Sequence, residues 1–268
     1  MSGTLRQSMQ ARPLWYFFPL AFLLSWYTWY LRLFGVHTSG GMNPLGVLVA
    51  ALIMAGVCGG WSGTKALLLR IVRVRVGIRW YLVALVLPVL FGLLALALNL
   101  LLGADLPGYS QWSNWQVIAG GFAIQFLFVG LGEEPGWRGF ALLELQKRYS
   151  ALKAALLLAA VWALWHLPLM GTDVPWNTVP AFIVSVFAAS VVLTWLFNST
   201  GGSVLLCMLL HATVNAIDAG YIFQLFSGVN LLQLWWIYTL IWVAGAAFIV
   251  WRVGSGLKGW RRRRGAAA

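Results

Sequence analysis

The chain is 268 residues long, 61% hydrophobic and 9% charged, against about 25% charged for an ordinary soluble domain. So few charges cannot cover a water-soluble globule without large apolar patches, and the 15% aromatic content excludes intrinsic disorder. The net charge of +12 falls in short clusters between apolar runs instead of on one basic face, so nucleic acid is not an expected partner and the anionic headgroups of a lipid bilayer are.

A membrane span needs roughly 20 mostly apolar residues. Eight stretches qualify in chain order: residues 14–34, 44–61, 80–102, 115–140, 152–169, 179–197, 204–219 and 231–251. The expected fold is all-α, a polytopic membrane bundle of about eight transmembrane helices forming a single domain over residues 1–268. The first run lacks a small-residue cleavage site and reads as a retained helix. Arg6 and Arg12 precede it; Lys65, Arg70, Arg73, Arg75 and Arg79 follow the second span, Lys147, Arg148 and Lys153 the fourth, Arg252 and Lys258 the eighth. The alternate loops carry only Asp105, Asp173 and His37 or no charge. The positive-inside rule then predicts both termini on the cytoplasmic side, with 252–268 a basic tail that includes four arginines at 261–264. Arg32 is the misfit, explained by snorkelling. Cys58 and Cys207 lie in apolar runs without a Cys-x-x-Cys partner, so no thiolate zinc knuckle is indicated. Gly56 and Gly60, four apart, read as a helix-packing pair.

An ionisable side chain inside a span costs about 3 kcal/mol or more and needs a reason. Four places stand out: Glu133-Glu134-Pro135-Gly136-Trp137-Arg138, His166 four residues after Trp162, His211 with Asn215, and Asp218. Glu134, His166 and His211 each lie about 13 residues, or roughly 20 Å of helix, from a cytoplasmic marker, so three spans present polar groups at comparable depth. Glu134 and Arg138 are spaced i,i+4 in the order that favours an ion pair, while Glu133 is turned about 100° away. His211, Asn215 and Asp218 at i, i+4 and i+7 make one polar helix face, with Asp218 expected near the interface or, as an alternative, orienting His211. Asn99 and Gln125 read as packing residues.

A carboxylate beside an imidazole can polarise a water molecule, and a second imidazole with a carboxamide can stabilise a developing oxyanion. These are the parts of a peptide-bond hydrolase that forms no acyl-enzyme. Two His with one carboxylate also suit zinc, so Glu133, His166 and His211 are the ligands if a metal is bound; the His-Glu-x-x-His signature is absent, and no other cofactor is expected.

At these residues the chain resembles the CPBP, or Abi, intramembrane protease family, which includes the type II CAAX prenyl endopeptidases. Adjacent Glu133 and Glu134 with Arg138, Trp162 with His166, and His211 with Asn215 match its three motifs in order and spacing, over a catalytic half of about 115–219. The resemblance implies that Glu133 and His166 activate the water, that His211 and Asn215 form the oxyanion site, and that Glu134 and Arg138 support them. The implied partner is a membrane-associated peptide or protein. The compact, Ala-, Leu- and Trp-rich chain reads as bacterial, placed in the cell (inner) membrane as a multi-pass protein. A non-catalytic scaffold or bacteriocin self-immunity protein of the same family is the alternative. A proton-coupled transporter would need a matching polar motif in the first half, which carries none.

Overall fold

The computed structural model describes residues 3–37 and 41–259, so the arginines at 261–264 lie outside the described residues. These residues form nine helices: α1 Gly3–Ala11, α2 Pro13–Leu33, α3 Leu45–Ile71, α4 Ile78–Leu101, α5 Tyr109–Gln146, α6 Ala151–Trp165, α7 Val179–Ser199, α8 Val204–Leu225 and α9 Gly228–Val253. Among the described residues the β-structure amounts to one isolated bridge, Met170 to Val174.

Six helices, α3, α4, α5, α7, α8 and α9, are long and apolar enough to cross a membrane, and the chain is a multi-pass integral membrane protein. The other two predicted spans also fold as helices but differ in kind. α2 has 21 residues, with Trp and Tyr diluting its apolar content. α6 has 15, about 22 Å of rise against a hydrocarbon core of about 30 Å. It stops early because Pro168 disfavours helical backbone at the residue before it, and the chain passes into a short 3-10 turn, Leu167–Leu169. His166, near the end of the expected 152–169 run, is therefore the residue that caps α6.

Glycine explains two further features. Gly60 has φ 58 and ψ −152 inside α3, a conformation that essentially only glycine adopts, so it kinks the helix; the expected Gly56/Gly60 packing pair is corrected to a bend. Along α5, a Cβ on Gly132 would lie 2.8 Å from the Pro44 carbonyl carbon, and one on Gly136 2.9 Å from the Val47 carbonyl oxygen. Hydrogen alone fits there, and the close approach of α3 to α5 follows. Lipid tails are as apolar as leucine, so helices associate through such packing and through hydrogen bonds.

In the bundle, α2 packs on α3, α3 on the middle of α5, α8 on α4 and α5, and α7 between α6 and α9. α7 and α8 are the most enclosed spans, whereas α5 turns much of its apolar surface outward.

Candidate active site

The polar residues of α5 sit where its backbone departs from α geometry. An α-helical turn, Leu131–Gly136, is flanked by π-helical turns at Gln125–Gly130 and Trp137–Ala141. Pro135 withholds one N–H from the ladder, and irregular backbone at membrane depth is tolerated where protein buries it. π turns of this kind recur at functional sites.

Glu133 and Glu134 are adjacent and both buried, at 2% and 0% exposure, yet they face different partners. Glu134 Oε1 accepts from Arg138 Nη1 at 3.0 Å and from His211 Nδ1 at 2.8 Å. The expected ion pair is present, and a second helix is drawn into it. The guanidinium carbon lies 4.3 Å from the centre of the Trp162 ring, a cation–π contact worth about 2 kcal/mol when desolvated. Glu134 Oε2 and Arg138 Nε and Nη2 have no hydrogen-bond partner among the described residues.

Glu133 has neutral donors instead. Its Oε2 accepts from Trp162 Nε1 at 2.8 Å and from Trp137 Nε1 at 3.2 Å. Trp162 also reaches His166, whose Nδ1 lies 2.7 Å from the Trp162 carbonyl oxygen. A carbonyl only accepts, so the Nδ1 proton donates and Nε2 is left for other chemistry. Three contacts hold this end of α6: Trp26 Nε1 of α2 donates to the Trp165 carbonyl at 2.9 Å, and the Trp165 ring stands edge-on to His166 and to Trp137.

His211, Asn215 and Asp218 come from α8, which is α-helical to Thr213 and π-helical over Val214–Ile222. His211 Nδ1 is engaged by Glu134, leaving Nε2 at the other edge of the ring. Asn215 Nδ2 donates to Gln125 Oε1 at 3.1 Å, so Gln125, expected as a packing residue, positions Asn215. Asp218 is corrected in both of its expected roles. It is 1% exposed, not interfacial, and its Oδ2 accepts from Tyr238 Oη at 2.7 Å, not from His211. Its Oδ1 has no partner among the described residues.

A cavity of about 110 Å³ joins these groups. His166, His211, Asn215 and Asp218 line it, with Trp162, Phe182, Trp235 and Trp242 among its aromatic walls. Three of the four residues predicted to carry chemistry therefore share one cavity. Glu133 does not line it; it is linked to the cavity through the Trp162 indole. Trp162 was legible in the sequence only as the motif residue four before His166, but its N–H, carbonyl and ring face touch Glu133, His166 and Arg138 in turn. Its i,i+4 spacing to His166, and that of Glu133 to Trp137, were the available signals. Tyr238 and Trp26 carried none.

The residues set aside for zinc are Glu133, His166 and His211. Among the described residues no group of three or more His, Cys, Asp or Glu is placed to hold a metal ion. Oε2 of Glu133 and Nδ1 of both imidazoles have protein partners, so Glu133 Oε1 and the two Nε2 atoms are the ones a metal would meet.

Comparison with known proteins bears on the same stretch. Residues 114–217 match the family model described as type II CAAX prenyl endopeptidase Rce1-like. The chain is also similar to the CAAX prenyl protease 2 of Methanococcus maripaludis, 29% identical over 147 residues, covering 48% of this chain and 54% of the relative. The chain thus spans about half the length of the curated relative it matches. All six predicted site residues, Glu133, Glu134, Arg138, His166, His211 and Asn215, fall inside 114–217, the segment that matches the Rce1-like family model.

Proposed function

We propose that the chain is an intramembrane endopeptidase that hydrolyses a peptide bond of a membrane-associated substrate. The observation that carries this reading is the shared cavity: His166, His211 and Asn215, from two helices, meet in it within the family-matched segment. With its proton held on Nδ1 by the Trp162 carbonyl, His166 offers the Nε2 lone pair to a water. Glu133 accepts no hydrogen bond at Oε1 among the described residues, and this oxygen takes the water's proton. The water oxygen attacks the amide carbonyl carbon and the carbonyl oxygen becomes the oxyanion; Glu133 then passes the proton to the amide nitrogen as the oxyanion re-forms the carbonyl and the C–N bond breaks, releasing the acid and the amine.

His211 serves the oxyanion as an imidazolium, with Nδ1–H on Glu134 and Nε2–H on the oxyanion, beside the Asn215 carboxamide. Preorganised donors of this kind contribute on the order of 10²–10³ in rate each. Glu134 and Arg138 orient His211 and supply its counter-charge. The name of the relative, CAAX prenyl protease 2, makes prenylated CAAX proteins the first substrate class to test; the composition of the chain supports a bacterial inner-membrane protein.

One observation favours the non-catalytic alternative, a membrane scaffold or self-immunity protein: Glu133 stands outside the cavity lining. The two readings separate in one experiment. Purified protein is assayed on membrane-tethered peptides, prenylated and unprenylated, alongside Glu133→Gln and His166→Ala. The endopeptidase reading expects about 10²–10⁴-fold loss of cleavage in each variant; cleavage at the unmodified rate in both ends it.

A further inference from the structure

Away from the imidazole cavity, α1, the start of α2 and the end of α5 enclose a second pocket of about 620 Å³, within the range of roughly 300–1,000 Å³ typical of small-ligand sites. Its wall has two chemistries. Trp15, Phe18 and Pro19, from the first turns of α2, supply apolar lining; Arg12, Lys147 and Arg148 supply basic lining, with Glu144 beside them. Lys147 is paired with Glu144 at 2.5 Å. Arg12 and Arg148 are exposed and have no carboxylate partner among the described residues.

Among the described residues the acidic side chains are engaged or placed elsewhere; Glu144 lines the pocket but is bonded to Lys147. Of the six acidic residues in the chain, Glu133, Glu134 and Asp218 are buried in the site, Glu144 is paired, and Asp105 and Asp173 lie in loops at the opposite helix ends. Lys65, Arg70 and Arg73, on the last turns of α3 and just after it, belong to the same end of the bundle as the pocket. Trp15 is 77% exposed beside it, which suits the headgroup level of a bilayer. Gln10 Nε2 donates to the Val57 carbonyl at 2.9 Å and fastens α1 over α3, so the pocket is built and not a chance gap between loose ends.

We propose that this pocket binds an anionic phospholipid, with its phosphate between Arg12 and Arg148 and the upper part of an acyl chain along Trp15, Phe18 and Pro19. Two guanidinium forks match the planar, bidentate geometry that phosphate oxygens accept. The apolar lining asks for a ligand that continues into the hydrocarbon, which a free anion does not. The proposal stands independently of the endopeptidase reading.

The test is native mass spectrometry of the purified full chain in detergent, with phosphatidylglycerol, phosphatidylcholine and inorganic phosphate as probes. Phosphatidylglycerol should be retained about tenfold more than phosphatidylcholine, and Arg12→Gln with Arg148→Gln should remove that preference. Lys65→Gln with Arg75→Gln makes the same change of charge outside the pocket and should leave retention within about twofold, as expected for a localised site. Trp15→Ser should weaken retention without restoring phosphatidylcholine. A thermal melt in phosphatidylcholine micelles checks the fold; if the double variant does not fold, Arg148→Gln alone carries the comparison. Equal losses in the two double variants would mean a diffuse basic surface and overturn the proposal. So would equal retention of the two lipids, or displacement of phosphatidylglycerol by inorganic phosphate at matched concentration.

Discussion

Glu133 and Glu134 are neighbours in sequence and equally buried, yet they belong to different regions of the molecule. Glu134 sits in a charged knot, bonded to Arg138 on its own helix and to His211 on α8. Glu133 sits at an aromatic edge, bonded among the described residues only to the indoles of Trp137 and Trp162. The difference teaches how one turn of helix separates support from chemistry. A carboxylate that shares its oxygen with a guanidinium and an imidazole is committed to holding helices together. Among the described residues each carboxylate is bonded through one oxygen, so what sets Glu133 apart is that its donors are neutral N–H groups and carry no counter-charge.

The strongest way to break this contrast is Arg138→Met, which leaves Glu134 buried without its guanidinium. We expect about 3–5 kcal/mol of destabilisation, read as a lower melting temperature in detergent and a fall in folded yield. Trp162→Phe attacks the other region. It keeps a ring under Arg138 but removes the N–H to Glu133, a hydrogen bond to a charged group worth about 1.5–3 kcal/mol. Cleavage should fall by tenfold to about a hundredfold, and more steeply than stability, if Glu133 needs that donor for its orientation. Tyr238→Phe tests the far end of the cavity: Asp218 loses its one hydrogen bond and the protein about 1–3 kcal/mol, measured by the same melt. Glu133→Gln sharpens the comparison from below. The amide oxygen still accepts from both indoles, so the melt should move by less than about 1 kcal/mol while cleavage collapses. A large melt shift in Glu133→Gln would show that both carboxylates are structural.

The motifs were legible because helical spacing is local. The i,i+4 pair of Glu134 and Arg138 is found as an ion pair at 3.0 Å, and the segment containing all three motifs is the one the family model matches. Spans with long apolar runs were legible for the same reason. The end of α6 was misjudged because Leu167 and Leu169 extend its apolar run past Pro168, so hydropathy continued where the backbone could not. Asp218 was misjudged because its partner, Tyr238, lies 20 residues away on the next helix. Gly60 was taken for packing because spacing alone does not reveal a positive φ.

Composition and periodicity by themselves determined that this is a helical membrane protein, where its polar groups interrupt the apolar runs, and which of them share a turn. Those properties follow from transfer free energies and from a repeat of 3.6 residues, both of which act along the chain. Only the folded bundle decided that Glu134 is shared between α5 and α8, that Trp162 joins Glu133 to His166, and that His166, His211 and Asn215 open onto one cavity while Glu133 does not. These depend on the rotation and depth at which helices meet, set by glycine contacts such as Gly132 and Gly136 against α3, which no single helix specifies.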